Sequence, residues 1–245
     1  MKTKIAIIGL GRLGLQIARL LKSKYELYPT RKNKNTIKKL KKEFPNISND
    51  NIAAIKKSDI ILLMVPPKKV NLVLKEIKPY IDKKLVLNFT LKKFNLNSQL
   101  INIASSIVIN NKIKICLYKP NKMVTKNNEE LFIKIFKSIS ANFSKCNDPV
   151  KEMTYFARVF SHILAYYSFL LKEKKEAKIL KLCFELGVES LIYSKSINNV
   201  IKKGKTKGGI TEELFKLYSQ EPYFKDLISS ESNIINKKIK EINKS

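Results

Sequence analysis

The six residues Gly9-Leu10-Gly11-Arg12-Leu13-Gly14 constrain this chain more than any other stretch. The apolar run Ile5-Ala6-Ile7-Ile8 leads straight into them, and an amphipathic segment follows. Gly-x-Gly-x-x-Gly in that setting predicts a buried strand, a tight turn and a helix. Gly9 permits the turn, Gly11 lets a ligand approach the backbone, and Gly14 lets the helix pack on the strand. A helix starting here points its unpaired N–H groups and positive dipole end at the turn, where a pyrophosphate fits. Gly9, Gly11, Arg12, Leu13 and Gly14 are therefore the first candidate cofactor-binding residues. The plainer alternative is a strand-to-helix turn with no ligand.

The next strand is expected over residues 25–28. In a dinucleotide site its end usually carries an acidic residue, which accepts from the free ribose hydroxyl of NAD. This chain instead has Pro29-Thr30-Arg31-Lys32, a hydroxyl and two cations. Such a set suits a 2′-phosphate, so NADPH is favoured over NADH, with Thr30 and Arg31 as its candidate contacts. An exposed basic loop is the alternative.

Further along, helical spacing of apolar residues predicts helices over 12–23, 36–44, 52–57, 70–77, 96–104 and 129–140. Apolar runs predict strands over 59–65 and 85–88, with short ones at 107–109 and 113–117. Strands alternating with helices at these lengths predict an α/β fold, a doubly wound parallel sheet of the Rossmann type. After Asp148-Pro149 only helical spacing remains, from Met153 through Phe160 and Tyr167 to Leu171 and beyond. We expect a dinucleotide-binding domain over 1–149 and an all-helical domain over 150–245. The wide apolar face of the first of these helices invites a homodimer, or burial within the chain.

Composition narrows the function. The formal charge is +29, yet arginine occurs only at positions 12, 19, 31 and 158. Nucleic-acid surfaces favour the planar fork of arginine, whereas these lysines are spread over the whole chain. This argues against nucleic acid as the partner; the lysines fit a compositional bias on solvated faces. No apolar run reaches the roughly 18 residues of a membrane span, so a cytoplasmic protein without membrane contact is expected. Cys116, Cys146 and Cys183 have neither metal-site nor disulfide spacing, and His162 is the sole histidine. No metal site is expected.

A second informative stretch is Lys205-Thr206-Lys207-Gly208-Gly209-Ile210-Thr211. Two glycines precede a predicted helix whose first turn holds a threonine. That hydroxyl can cap the helix, or the loop can hold a carboxylate on its N–H groups while Thr211 donates a hydrogen bond.

Taken together, these landmarks resemble the pyrroline-5-carboxylate reductases. Beyond the glycine fingerprint, Asp50-Asn51 resembles the family's Asp-Asn pair, and Val65-Pro66-Pro67 its Val-Lys-Pro strand end. Pro120-Asn121 resembles the Met-Pro-Asn element. Lys207 to Thr211 resembles Ser-Pro-Gly-Gly-Thr-Thr in its glycines and last threonine. The resemblance implies NADPH-dependent reduction of the cyclic imine 1-pyrroline-5-carboxylate to proline, and a homodimer or higher homo-oligomer through the C-terminal helices. It adds Asn51, Val65 and Pro66 to the cofactor contacts. It makes Gly208, Gly209 and Thr211 the substrate contacts, with Thr211 the candidate catalytic donor. Several positions depart from the family's pattern. Lys207 replaces a proline and Ile210 a threonine, Leu117 stands in place of an arginine, and Ser161-His162-Ile163-Leu164 replaces the glycine-rich start of the long helix.

Overall fold

The computed structural model of the chain describes residues 2–107, 114–138 and 142–153, and positions 233, 237, 240 and 241. The chain divides into two compact units, Met1–Phe156 with Ile239–Ser245, and Ala157–Lys238. The helical region expected after residue 150, including Gly208, Gly209 and Thr211, lies almost wholly outside the described residues.

The first unit is built on one sheet. Its strands are β1 (Lys4–Ile8), β2 (Glu26–Thr30), β3 (Ile60–Leu63), β4 (Leu85–Asn88), β5 (Gln99–Ile107), β6 (Lys114–Pro120) and β7 (Asn142–Lys145). Their order is β2-β1-β3-β4-β5-β6-β7. Between them run α1 (Arg12–Leu21), α2 (Lys34–Leu40), α3 (Asn51–Lys56), α4 (Val70–Ile77) and α5 (Lys126–Lys137). Among the described residues no helix is long and apolar enough to cross a membrane.

The uninterrupted apolar runs of β1, β3 and β4 follow from their burial on both faces. Ile5 and Ile7 point into one core layer with Ile17, Ala18 and Leu21 of α1 and Phe132, Ile135 and Phe136 of α5. Ala6 and Ile8 point into the other, with Ala54 and Ile55 of α3 and Val73 and Ile77 of α4. The sheet is therefore wound on both sides, as the sequence pattern implied. Pro29 sits within β2, where its missing N–H is tolerated because β2 is the edge strand.

Two expectations are corrected. Residues 96–104 are not helical; most of them belong to β5. Ile101 and Ile103 enter one core layer and Leu100 the other, which is the period-two pattern of a strand buried on both faces. The sheet is also not wholly parallel. Strands β1 to β5 are parallel to their neighbours, but β6 runs antiparallel to β5 and β7 parallel to β6. The linker 108–113 is too short for a parallel crossover, which needs about a dozen residues. β7 itself went unread, because Asn142-Phe143-Ser144-Lys145 has too few apolar residues to signal a strand.

Glu43 ties the end of α1 to the segment after α2. It accepts from Arg19 at 3.0 Å on both oxygens and from Lys22 at 2.9 Å. The Arg19 guanidinium, and then the Lys22 ammonium, hold its carboxyl down at about 2. A depressed carboxyl contributes stability above its unfolded value, and that contribution is lost as pH falls through the folded value. The wild-type melting temperature should therefore drop more steeply between about pH 4.5 and 2 than that of Glu43→Gln. At neutral pH the two should differ by less than about 1 kcal/mol, since these side chains are part-exposed.

Candidate functional site

In this strand order β1 is flanked by β2 on one side and β3 on the other. Successive connections leave β1 in opposite directions, and their divergence opens a crevice at the carboxyl ends of the strands. A cleft of about 460 Å³ lies there. Its wall includes nine of the ten candidate cofactor residues: Gly9, Gly11, Arg12, Leu13, Thr30, Arg31, Asn51, Val65 and Pro66. Gly14 does not line it.

The glycines have separable tasks. Gly9 has φ +99°, and a Cβ there would lie 2.8 Å from Val65 Cγ1 and 2.9 Å from the Met64 carbonyl oxygen. Only glycine meets both conditions without strain. The Gly11 N–H donates to the Gly9 carbonyl at 2.7 Å, and the Leu10 N–H to the Thr30 carbonyl at 2.8 Å. The turn is thereby tied to the end of β2. A Cβ on Gly11 would meet nothing within 4 Å, whereas one on Gly14 would lie 2.7 Å from the Gly9 carbonyl oxygen. Gly14 is thus needed for packing, and Gly11 leaves space on the cleft side.

Helices α2, α3 and α5 are capped by Asn33, Asp50 and Thr125, whose side-chain oxygens accept from backbone N–H groups of the first turn. Helix α1 differs. Gly11 is its N-cap and, as at α4, no side chain caps it; like α2 and α3 it has no acidic residue in its first turn. Its opening N–H groups keep their capacity to bind an anion.

The cleft is cationic. Arg12, Arg31, Lys32 and Lys69 line it, with no carboxylate among the described lining residues. Arg31 Nη1 donates to the Leu10 carbonyl, which holds the guanidinium beside the glycine turn. Thr30 has a different task from the one its sequence position suggested. It is 2% exposed, and its Oγ1 lies 2.7 Å from Asn51 Oδ1. Asn51 Nδ2 faces both oxygens of Glu76 at 3.2 Å. A carboxylate only accepts, so the amide nitrogen must face Glu76 and the amide oxygen must face Thr30. The one hydroxyl proton of Thr30 is therefore donated to Asn51, and Thr30 positions Asn51 rather than offering a donor to a phosphate.

Two residues escaped the sequence reading. Lys69 follows the Pro66-Pro67 turn and looks like any other surface lysine until β3 brings it to the cleft. Glu76 lies 25 positions from Asn51 in the chain, and only the packing of α3 beside α4 brings them together. No local sequence signal marks either.

Comparisons with known proteins agree with this geometry. The sequence model of the family described as NADP oxidoreductase coenzyme F420-dependent matches residues 4–91, from β1 to just past β4. A search of curated proteins finds no match. Among solved structures, pyrroline carboxylate reductase from Plasmodium falciparum with NADP bound is similar at a TM-score of 0.73 and 19% identity, covering 98% of each chain. The pyrroline-5-carboxylate reductase of Coxiella burnetii gives 0.71 and 16%, covering 100% of each chain. An imine reductase variant from Myxococcus stipitatus in complex with NAD+ gives 0.54 and 16%, over 78% of this chain and 76% of that one. The chain has the fold of the pyrroline-5-carboxylate reductases. Its first unit carries the Gly-x-Gly-x-x-Gly turn between β1 and α1.

Gly11 and Gly14 allow a clean separation of folding from binding. Gly11→Ala should change stability by less than about 1 kcal/mol and weaken dinucleotide binding tenfold or more. Gly14→Ala should cost about 1–3 kcal/mol by overpacking against the Gly9 carbonyl. Denaturant unfolding and fluorescence titration of NADPH measure the two effects.

Proposed function

We propose that this protein is an NADPH-dependent reductase that converts 1-pyrroline-5-carboxylate to proline. The observation that carries this reading is the cleft at the end of β2, which gathers Arg31, Lys32, Arg12 and Lys69 with no carboxylate among its described lining residues. A 2′-phosphate finds cations there, and a free ribose hydroxyl finds no carboxylate acceptor among the described residues. Likeness along nearly the whole chain to pyrroline-5-carboxylate reductase structures supports the substrate.

In this reading the first N–H groups of α1 hold the pyrophosphate. Arg31 and Lys32 hold the 2′-phosphate, and Asn51, fixed by Thr30 and Glu76, contacts the adenosine half. A bound NADPH would supply the hydride. Reduction adds that hydride to the imine carbon and one proton to the nitrogen. A protonated imine is already electrophilic, so the chain need only bind and orient it. Gly208 and Gly209 are assigned to the substrate carboxylate, and Thr211 to a hydrogen bond at the reacting end. We further propose a cytoplasmic homodimer or higher homo-oligomer joined by the C-terminal helices, in keeping with the apolar face that starts at Met153.

A second reading is reduction of another imine or of a keto acid on the same frame. Lys207, Ile210 and Ser161-His162-Ile163-Leu164 favour it, because they alter the segments assigned to the substrate. Oxidation of NADPH in the presence of pyrroline-5-carboxylate, against a panel of other imines and keto acids, decides between the two. Turnover of pyrroline-5-carboxylate is expected, and Thr211→Ala should lower kcat by about a hundredfold. Turnover only of other substrates would establish the second reading. NADPH binding with no turnover at all would leave a nucleotide-binding homologue without this activity.

Cofactor choice has its own test. Arg31→Ala should raise the KM for NADPH tenfold or more and that for NADH by less than about twofold. Equal effects on both cofactors would remove the 2′-phosphate from Arg31.

A further inference from the structure

Glu76 stands where charge alone favours neither folding nor anion binding. It belongs to the last turn of α4, where the negative end of the helix dipole disfavours an acid. It is exposed, and among the described residues no lysine or arginine ion-pairs with it. Its carboxylate binds Asn51, a wall residue of the dinucleotide cleft. A negative charge is thereby held next to a cleft lined by cations.

The hydrogen bonds show what that charge does. The buried Asn51 amide has two possible orientations, and Thr30 accommodates both. Thr30 Oγ1 lies 2.7 Å from Asn51 Oδ1 and 3.5 Å from the Ile7 carbonyl oxygen. It donates to Asn51 when the amide oxygen faces it. With the amide turned over, it can accept from Asn51 Nδ2 and donate to Ile7 instead. Glu76 accommodates only one orientation. A carboxylate has no proton, so the amide oxygen turned toward it would bring two acceptors together. Asn51 Nδ2 instead lies 3.2 Å from both carboxylate oxygens. Of the two partners, only Glu76 decides which way the amide points.

We propose that Glu76 is a positioning residue for the dinucleotide: through Asn51 it selects the hydrogen-bonding edge that the adenosine half of the cofactor meets. The inference rests on the dinucleotide-binding reading given above. It makes a prediction opposite in sign to bare electrostatics. Removing a carboxylate beside an anion site should tighten binding on charge alone. Removing the group that orients Asn51 should weaken it.

The test is calorimetric titration of the full chain with NADPH and, separately, with adenosine 2′,5′-bisphosphate, which carries the adenosine half alone. Glu76→Ala and Glu76→Gln should each weaken both ligands about fivefold. The glutamine keeps the size of the side chain, but its own amide can turn to match either orientation of Asn51, so it should not restore affinity. In an Asn51→Ala background, adding Glu76→Ala should weaken binding no further. Should Glu76→Ala not fold, Glu76→Gln carries the comparison. Affinity in either Glu76 variant equal to or tighter than wild type overturns this inference alone. So does a loss confined to NADPH, or the same loss with and without Asn51. No affinity of wild type for either ligand ends the dinucleotide reading and this inference with it.

Discussion

The closeness of Gly14 to the Gly9 carbonyl is the constraint on which this structure turns. At that distance a side chain on residue 14 would collide with backbone, so α1 can lie against the end of β1 only if both positions stay bare. Once α1 is seated, Ile17, Ala18 and Leu21 close one core layer over Ile5 and Ile7. The same seating leaves the uncapped start of α1 facing the gap between β2 and β3. Packing and binding thus arise from one local contact, which explains why a short motif can determine half a fold.

Charge alone would not have found the site. With a net charge of +29, a cationic wall does not by itself single out a site. What sets the cleft apart is what it lacks: no acidic side chain lies among its described walls, and no side chain caps the helix that opens into it. The carboxylate of Glu76 is bound to the Asn51 amide and orients it. The chain of Glu76, Asn51 and Thr30 converts a surface charge into a fixed amide at the cleft wall. Each partner in it is forced by the donor and acceptor capacity of the next.

Much of this was legible in the residues. Val70–Ile77 and Leu85–Asn88 form the elements their spacing implied, and the glycine turn lies where the motif required. The misreadings have physical causes. Residues 96–104 hold short apolar runs that fit either period, and only the core layers on both sides of β5 decide for the strand. Thr30 looked like a phosphate ligand because sequence places it at the end of β2. Sequence does not reveal that its hydroxyl turns inward to Asn51. Lys69 and Glu76 enter through tertiary packing.

The account rests on the exposed N-terminus of α1 and its cationic surroundings serving a phosphorylated dinucleotide. Calorimetric titration of the full chain with NADPH and with NADH tests this most directly. One NADPH per chain, bound more tightly than NADH, is the predicted result. Absence of affinity for both would contradict it, leaving the glycine turn as a packing device alone.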